Sequence, residues 1–347
     1  ISGRGGTVLF GALGAAVGTT AASRPLAPDD TYLYPFPLYH VSAYNVLHAL
    51  ARQRPVVLPR QFDVDEIADL SAAHRVTAVS LAPTMLRMVL DHPAATDGRL
   101  ATWRTVAYGA APMPPALLAE AAEVLGVEFA QGYGMTELSG NAVFLPPEAH
   151  RAGLAGEERL LRAAGWPADG VELRVIDTAG EVVPAGEPGE ITIRARQVCA
   201  GYWDDPEATA RTIRGGWLHT GDLGTIDDDG LLTVVDRLKD IIVTGGENVA
   251  SREVEEVLER HAAVARVAVV GLPDERWGEA VTAAIVLRPG TDADPDDVVA
   301  ELTGLAAAHL AGFKVPKRIE LVRELPVNAG GKVMKVELRR RLLLPPG

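Results

Sequence analysis

Four glycine-rich segments of this chain carry side chains that can bind a nucleotide or neutralise charge, at residues 131–137, 216–224, 236–251 and 328–335. The first contains a tyrosine with a flat face for a purine, a threonine hydroxyl for a phosphate and a glutamate with oxygen ligands for Mg²⁺. In the second, the carboxylate of Asp222 can accept hydrogen bonds from both hydroxyls of a ribose. Each segment alone is also typical of an ordinary turn, whereas four in this order are strong evidence of one site.

Alternating elements precede and include the first of these segments. From about residue 31 to residue 134, apolar runs of strand length are separated by stretches of helix length, which is typical of βαβ units in a parallel sheet. Asp63 and Asp65 suit the first turn of one such helix. Ligands of open α/β sheets bind at the carboxyl ends of the strands. We therefore expect residues 108–114 and 131–137 to lie at the ligand-binding edge.

The pattern changes after about residue 165. Apolar and polar residues alternate between Gly and Pro turns as far as residue 236, which predicts an antiparallel, barrel-like region. Mixed helices and strands then predict a compact α+β domain. Its elements are predicted at residues 251–262 (helix), 264–271 and 279–287 (strands), 295–310 (helix), 318–323 (strand) and 335–343 (helix).

The predicted fold class is therefore α/β, with a mostly parallel sheet, a small antiparallel region and a separate C-terminal α+β domain. The large domain is expected at residues 1–236, with a parallel part at about 1–160 and a β-rich part at about 161–236. The small domain is expected at residues 237–347.

Composition excludes several functional classes. A net charge of −13 makes the chain a poor general partner for nucleic acid or anionic membrane. The single cysteine, Cys199, excludes an internal disulfide framework and fits a reducing, cytoplasmic location. The apolar run after Arg4 is short and diluted by glycines, so we expect a buried helix there and no transmembrane segment.

The four segments resemble the motifs of the adenylate-forming enzymes, the superfamily of acyl-CoA synthetases, luciferases and peptide-synthetase adenylation domains. The resemblance runs from about Pro35 to the end of the chain and is greatest to the fatty acid and acyl-CoA synthetases. It implies ATP, Mg²⁺ and CoA as cofactors and a carboxylic acid as the substrate.

The resemblance also implies roles for residues of the large domain. Thr136 and Glu137 would act in catalysis, Glu137 as the Mg²⁺ ligand, and His40 would gate the acyl pocket. The nucleotide-binding set that it implies is Gly109, Ala110, Ala111, Gln131, Gly132, Tyr133, Gly134, Met135, Thr136, Asp222 and Arg237.

For the small domain, the resemblance implies rotation about a hinge at Lys239 between two catalytic poses. Lys332 would neutralise charge as the acid attacks the α-phosphate of ATP. Lys335, by contrast, is expected at the surface. The CoA-binding set that the resemblance implies is Gly245, Gly246, Glu247, Trp277 and Lys317.

The chain departs from the family pattern at two places. The phosphate loop that ends in Pro-Lys-Gly should lie just before Ile1 and is absent, so we expect the native protein to have a further N-terminal part. Related enzymes often carry a basic residue where Val315 stands, which keeps an acyl carrier protein open as the acceptor in place of CoA.

The expected acyl pocket has no charged wall. No acidic residue occurs at 38–42 to hold an amine, and no arginine occurs at 129–132 to hold a second carboxylate. The expected wall is small and apolar, which favours an uncharged, fatty acid. Three functions stay open: an acyl-CoA synthetase, an acyl-AMP ligase that loads a carrier protein, and an incomplete nucleotide- or acyl-binding fragment. The wall residues are Val41, Gly109, Ala110, Gly132 and Met135.

Overall fold

The chain divides into two compact units. The computed structural model describes residues 6–109, 111, 113–291, 293–327 and 333–343. By contacts, the first unit comprises Ile1–Thr220 and Gly224–Val234, and the second comprises Gly221–Leu223 and Val235–Gly347. The predicted domain division at residue 236 lies beside this contact boundary and stays a prediction, since contacts do not test whether the smaller part moves.

The large unit contains most of the strands and helices. Its strands are β1 (Gly6–Thr7), β2 (Tyr32–Leu33), β3 (Val56–Val57), β4 (Ala78–Leu81), β5 (Thr105–Gly109), β6 (Glu128–Met135), β7 (Gly140–Leu145), β8 (Trp166–Pro167), β9 (Glu172–Ile176), β10 (Gly189–Arg194), β11 (Gly201–Tyr202), β12 (Ile213–Arg214), and most of β13 (Trp217–Ile226) and β14 (Leu232–Arg237). Its helices are α1 (Phe10–Ser23), α2 (Tyr44–Ala51), α3 (Val64–His74), α4 (Pro83–Leu90), α5 (Pro115–Leu125), α6 (Pro147–Leu154), α7 (Glu158–Arg162) and α8 (Pro206–Thr212).

A seven-stranded sheet has the order β3-β2-β4-β5-β6-β7-β8. Strands β2 to β6 pair in parallel, as the alternating pattern predicts, and β7 and β8 continue the sheet in antiparallel pairing. The side chain of Asp63 accepts a hydrogen bond from the Glu66 N–H and so caps α3. A core that includes Val106, Leu118 and Phe129 fills the space between this sheet and α3, α4 and α5.

The expected buried helix near the N-terminus is present as α1, and it is buried along one face only. Ala12, Ala16 and Thr20 lie on the buried face, whereas Phe10 is 93% exposed. Across the described ranges, we find no helix whose length and apolar character would let it cross a membrane.

A second sheet of the large unit is antiparallel, with the order β12-β13-β10-β9 and β14 beside β13. Ile191 and Ile193 alternate with the polar residues Glu190, Thr192 and Arg194 on β10 and belong to the core beneath this sheet. The predicted antiparallel region is confirmed. Its described strands form an open sheet and no closed barrel.

The small unit is a five-stranded sheet with helices on both faces. Its elements are β15 (Ile242–Thr244), β16 (Glu247–Val249), α9 (Ser251–Leu258), β17 (Val264–Asp274), β18 (Gly278–Leu287), α10 (Pro295–His309), β19 (Arg318–Leu321) and α11 (Lys335–Leu343). The strand order is β16-β15-β18-β17, with β19 parallel to β18. One core joins the sheet to α9 and α10, and another joins it to α11. The predicted α/β fold class with its α+β C-terminal part is confirmed.

Candidate functional site

The carboxyl ends of β5 and β6 lie side by side, as the sequence predicts for the ligand-binding edge. Gly109 pairs with Gly132, and a Cβ atom added to Gly109 would lie 2.5 Å from the carbonyl oxygen of Gly132. The two strands therefore approach too closely for a side chain at Gly109. Ala111, expected in the same wall, is half-buried, and Ala110 lies outside the described residues.

The glycines of the β6–β7 hairpin are required by packing within the protein. A Cβ atom on Gly134 would overlap the carbonyl oxygen of Gly140 and lie 2.6 Å from the Cα of Asn141. One on Gly132 would overlap the side-chain amide of Asn141. The close packing of β7 is by itself enough to exclude side chains at Gly132 and Gly134. The expectation that these glycines also let a ligand approach the backbone stays a prediction.

The short 3₁₀ turn after β6 carries Thr136 and Glu137. Thr136 is exposed. Glu137 accepts a hydrogen bond on Oε1 from the hydroxyl of Tyr202, at 2.7 Å. Burial and the nearby Glu137 carboxylate together raise the pKa of Tyr202 to about 12, so this hydroxyl stays a donor at neutral pH. Tyr202, which sequence reasoning missed, therefore fixes the orientation of the predicted Mg²⁺ ligand.

A buried glutamine holds the same turn from below. The Gln197 amide nitrogen donates to the carbonyl oxygens of Leu138, at 3.0 Å, and Asn141, at 2.8 Å. The hydroxyl of Ser139 donates to the backbone carbonyl oxygen of Gln197 at 2.9 Å. These bonds support Ser139 in the left-handed region, with φ of 55°. Gln197 lies about sixty residues along the chain from the turn, so no local pattern points to it.

Gln131 lies at the end of a buried hydrogen-bond chain. Its Oε1 lies 3.0 Å from the hydroxyl of Tyr108, and the same hydroxyl lies 2.9 Å from His150 Nε2. The single proton of this hydroxyl can be donated to only one of the two at a time. His150 Nδ1 donates to the Pro146 carbonyl, and burial lowers the pKa of this histidine to about 4. The histidine is therefore neutral at physiological pH, and it supports the strand edge where Gln131 was expected to contact the nucleotide.

Tyr133 and Met135 are both partly buried against the core beneath the antiparallel sheet. Their packing ties the end of β6 to that sheet. The predicted contact of Tyr133 with adenine would use the part of the ring that this packing leaves exposed.

His40 begins a 3₁₀ turn at Val41–Ala43. Its Nδ1 accepts from the Ser42 N–H at 3.2 Å and lies 2.7 Å from the Ser42 hydroxyl. Its ring stacks on Phe36, with centroids 6.1 Å apart and planes at 23°. The histidine is therefore held in one orientation.

Asp222 and Arg237 lie together on the paired strands β13 and β14. Arg237 Nε is 3.4 Å from Asp222 Oδ1, and Asp222 is only 5% exposed. A carboxylate in this position can accept hydrogen bonds from hydroxyl groups. The structure thus brings together the two residues predicted for the ribose.

The predicted CoA residues of the small unit cluster around one indole ring. The Gly245–Gly246 turn joins β15 to β16, and the Gly245 N–H donates to the Trp277 carbonyl at 2.8 Å. Lys317 Nζ lies 5.7 Å from the ring centroid of Trp277. Arg276, which sequence reasoning missed, lies 4.7 Å from the same centroid. Glu247, also predicted here, is exposed at the start of β16.

The expected surface position of Lys335 is wrong. Its side chain is 16% exposed, and its Nζ lies 2.7 Å from Glu255 Oε1 and 2.6 Å from the Ser251 hydroxyl. Ser251 in turn donates to Asp236 at 2.6 Å. Lys335 is therefore part of a polar network between α9 and α11. The residue pattern of one helix does not reveal such a network, because the partners lie on another helix.

Of the two lysines predicted as hinge and catalytic residue, only the hinge residue lies among the described residues. Lys239, the predicted hinge, is exposed in a short 3₁₀ turn. Lys332, the predicted catalytic lysine, lies outside the described residues.

The described donors fit Mg²⁺ only in part. Among these residues there is no group of three or more His, Cys, Asp or Glu that could hold a metal ion. Glu137 uses Oε1 for Tyr202 and keeps its second oxygen. Mg²⁺ is commonly bound through one or two carboxylates together with substrate phosphates, so a single oriented glutamate fits it.

Comparison with known proteins decides the family. The model of the AMP-binding enzyme family matches residues 8–203. The chain belongs to the AMP-binding enzyme family. The model of the AMP-binding enzyme C-terminal domain matches residues 253–332. The first match includes the strand edge described above, and the second includes Arg276, Trp277 and Lys317.

Relatives of this AMP-binding enzyme include a fatty acid–[acyl-carrier-protein] ligase, ScoC, of Streptomyces coeruleorubidus, 43% identical over 82% of this chain and 54% of the relative. A feruloyl-CoA synthase of Amycolatopsis sp is 40% identical over 91% of this chain and 62% of the relative. The solved structure of the amide bond synthetase McbA from Marinactinospora thermotolerans superposes with a TM-score of 0.88 at 39% identity, covering 97% of this chain and 67% of that one. The chain thus spans between 54% and 62% of the length of these two curated relatives.

Proposed function

We propose that this protein activates a carboxylic acid with ATP to give an acyl-AMP and pyrophosphate, and then passes the acyl group to the thiol of CoA. The observation that carries the proposal is the ribose site, in which Asp222 is 5% exposed and lies beside Arg237. A buried carboxylate with an arginine against it suits a nucleotide ribose and its phosphate.

The residues of the strand edge would bind and orient the reactants. Thr136 is exposed at the turn and would donate to a phosphate oxygen. Glu137, oriented by Tyr202, would hold Mg²⁺, which when bound would neutralise phosphate charge. Lys332 would neutralise the charge that builds up between the attacking carboxylate and the α-phosphate.

The second step would use the cluster around Trp277. An indole with two cationic side chains near its ring can stack on an adenine while the cations meet phosphates. Arg276 at 4.7 Å and Lys317 at 5.7 Å supply the cations. The Gly245–Gly246 turn lies against the same ring and would line the path of the pantetheine.

A carrier protein is the alternative acceptor. Val315 packs into the core of the small unit and supplies no charge where related enzymes often have a basic residue. ScoC, a fatty acid–[acyl-carrier-protein] ligase by name, favours the same alternative. An incomplete fragment that binds nucleotide or acyl groups without turnover is the third alternative, and it is an outcome of the test below.

We propose an uncharged acid as the substrate, with a fatty acid as the first choice. No acidic or basic residue other than His40 lies at 38–42, and burial lowers the pKa of His40, so this segment is neutral. The feruloyl-CoA synthase among the relatives makes an aromatic acid the second choice. The buried free thiol of Cys199 supports a reducing, cytoplasmic location.

The experiment measures the two half-reactions separately. Aliphatic and aromatic acids are offered with MgATP, acid-dependent pyrophosphate release is followed, and acyl-AMP is identified by mass spectrometry. CoA and a pantetheinylated carrier protein are then compared as acceptors. Absence of acyl-AMP with every acid would contradict the proposed activity and leave the binding fragment.

The role of Lys332 is tested in the same assay. Lys332→Ala should lower acyl-AMP formation ~100–1000-fold, the effect of a charge that acts in the transition state, while supplied acyl-AMP should still react with the thiol. Lys314→Ala is the matched control for acyl-AMP formation, since Lys314 pairs with Glu253 at 2.7 Å and has no proposed role in that half-reaction. Equal loss in both variants would remove Lys332 from the mechanism.

A further inference from the structure

Three side chains before α2 form a short hydrogen-bond chain. The hydroxyl of Tyr34 lies 2.8 Å from the hydroxyl of Ser42, which lies 2.7 Å from Nδ1 of His40. The backbone N–H of Ser42 also points at Nδ1, at 3.2 Å. All three residues come from the segment that connects β2 to α2.

The direction of every bond in this chain follows from one donor. A backbone N–H can only donate, so Nδ1 of His40 must carry the lone pair. The Ser42 hydroxyl then has to donate to the same nitrogen, and it can only accept from Tyr34. In the neutral ring the proton is therefore on Nε2, because the second nitrogen of an imidazole carries the hydrogen when the first accepts.

The surroundings keep this arrangement in place. Tyr34 is 1% exposed, and burial raises its pKa to about 12, so it stays a hydroxyl donor. Burial lowers the pKa of His40, which favours the neutral ring. Phe36 stacks on the imidazole and limits its rotation. Within the described part of the chain no hydrogen bond is made by Nε2 of His40, so this N–H is available to a ligand.

We propose that Tyr34 and Ser42 are positioning residues that present His40 as a neutral Nε2–H donor to a carboxylate oxygen of the acid being activated. The proposal rests on the proposed function for its ligand, and on the hydrogen-bond chain for its geometry. In this state His40 cannot act as a general base through Nε2, which already carries a proton, and Nδ1 is occupied by two donors. The histidine would orient the acid and would take no part in proton transfer.

The first test reads the tautomer directly. In protein labelled with ¹⁵N-histidine, long-range ¹H–¹⁵N correlation spectra distinguish Nε2–H, Nδ1–H and charged rings, and His40→Asn assigns the signal. The unmodified protein should show the Nε2–H form at pH 7.5. Ser42→Ala loses the hydroxyl donor to Nδ1 and keeps the backbone N–H, so the Nε2–H form should stay predominant beside a detectable Nδ1–H fraction. Ser42→Thr should restore the single form. Tyr39→Phe is the control, since Tyr39 is 84% exposed and lies outside the chain of hydrogen bonds.

The second test reads the consequence for the acid. Ser42→Ala and Tyr34→Phe should raise the KM for the acid in acyl-AMP formation roughly 3–10-fold, the effect of weakening one neutral hydrogen bond, with the KM for ATP unchanged. Ser42→Thr should recover most of the loss. Circular dichroism checks that each variant is folded.

The two tests separate the failure of this inference from the failure of the proposed function. A charged or Nδ1–H ring in the unmodified protein would overturn the hydrogen-bond chain. A tautomer change in Ser42→Ala with no change in the acid KM would overturn the positioning role. No acyl-AMP from the unmodified protein would instead remove the proposed function and the carboxylate ligand, while the spectra would still decide the tautomer.

Discussion

The protein contains two glycine hairpins that look alike in sequence and differ physically. In the β6–β7 hairpin, a Cβ atom on Gly134 would overlap the backbone of Gly140. In the β15–β16 hairpin, Gly246 has φ of 85° and a Cβ atom there would meet nothing within 4 Å. The first glycine is required because protein fills the space, and the second because of its backbone conformation. Only the second leaves room for a ligand.

The largest expected effect tests the crowded hairpin. Gly134→Ala should lower the free energy of unfolding of the large unit by about 3 kcal/mol, the upper end for overpacking, because backbone atoms cannot move aside. Thermal and urea unfolding monitored by tryptophan fluorescence would measure it. Gly18→Ala is the control, since Gly18 is exposed on α1 with no atom within 4 Å of the added carbon, and it should leave stability unchanged or raised. A Gly134→Ala protein as stable as its parent would mean that β6 and β7 are farther apart than described.

A second stability test concerns Lys335, the partly buried lysine of the small unit. Lys335→Met should cost about 3 kcal/mol of unfolding free energy, because Glu255, whose side chain is only 18% exposed, would be left without its cation. The double variant Lys335→Met with Glu255→Gln should recover part of the loss. Urea unfolding of the single and double variants decides this. A single variant within about 0.5 kcal/mol of the parent, as for an ordinary surface site, would restore the expected surface position of Lys335.

The ribose pair ranks next. Asp222→Asn keeps the shape of the side chain and removes its charge, so ATP and AMP should bind about 2 kcal/mol more weakly, roughly 30-fold, as for the loss of charged hydrogen bonds. Isothermal titration calorimetry measures the affinity. Asp228→Asn is the matched control, because Asp228 is exposed on the turn between β13 and β14. Equal affinities for parent and Asp222→Asn would remove Asp222 from the nucleotide site.

The open hairpin should give the smallest change in stability. Gly246→Ala should cost about 1 kcal/mol, the strain of a side chain in the left-handed region. Gly290→Ala should cost about the same, since Gly290 has φ of 81° and equally open space. The two positions separate in function: Gly246→Leu should slow thioester formation from supplied acyl-AMP, and Gly290→Leu should not. Equal rates for both Leu variants would argue against a ligand path at Gly246.

Elements with a clear period could be predicted from the sequence. Strand β18 was expected at residues 279–287 and lies at Gly278–Leu287, and helix α10 was expected at 295–310 and lies at Pro295–His309. Helix α9 is shorter than expected, ending at Leu258 instead of residue 262. Local hydrophobic alternation determines such elements, and only their ends depend on neighbours.

The supporting residues of the candidate site could not be predicted in this way. Tyr202 reaches Glu137 from sixty-five positions away along the chain, and Lys335 reaches Ser251 from eighty-four. Their side chains have no periodic or motif signal, since their partners are set by tertiary packing. The motif residues themselves could be named because the four segments resemble motifs of the adenylate-forming enzymes. Their roles stay predictions.

The cap that Asp236 provides for α9 has a practical consequence for protein engineering. Its Oδ2 accepts from the Ser251 hydroxyl at 2.6 Å and from the Arg252 N–H at 3.2 Å, so the last part of β14 belongs mechanically to the C-terminal fold. A pivot at Lys239 lies downstream of this anchor, and turning about it would either break the cap or shift the bending point to before Val235. Anyone who expresses the C-terminal fold alone should therefore begin the gene fragment upstream of the codon for Asp236, because a cut at Arg237 removes a helix cap worth about 1 kcal/mol.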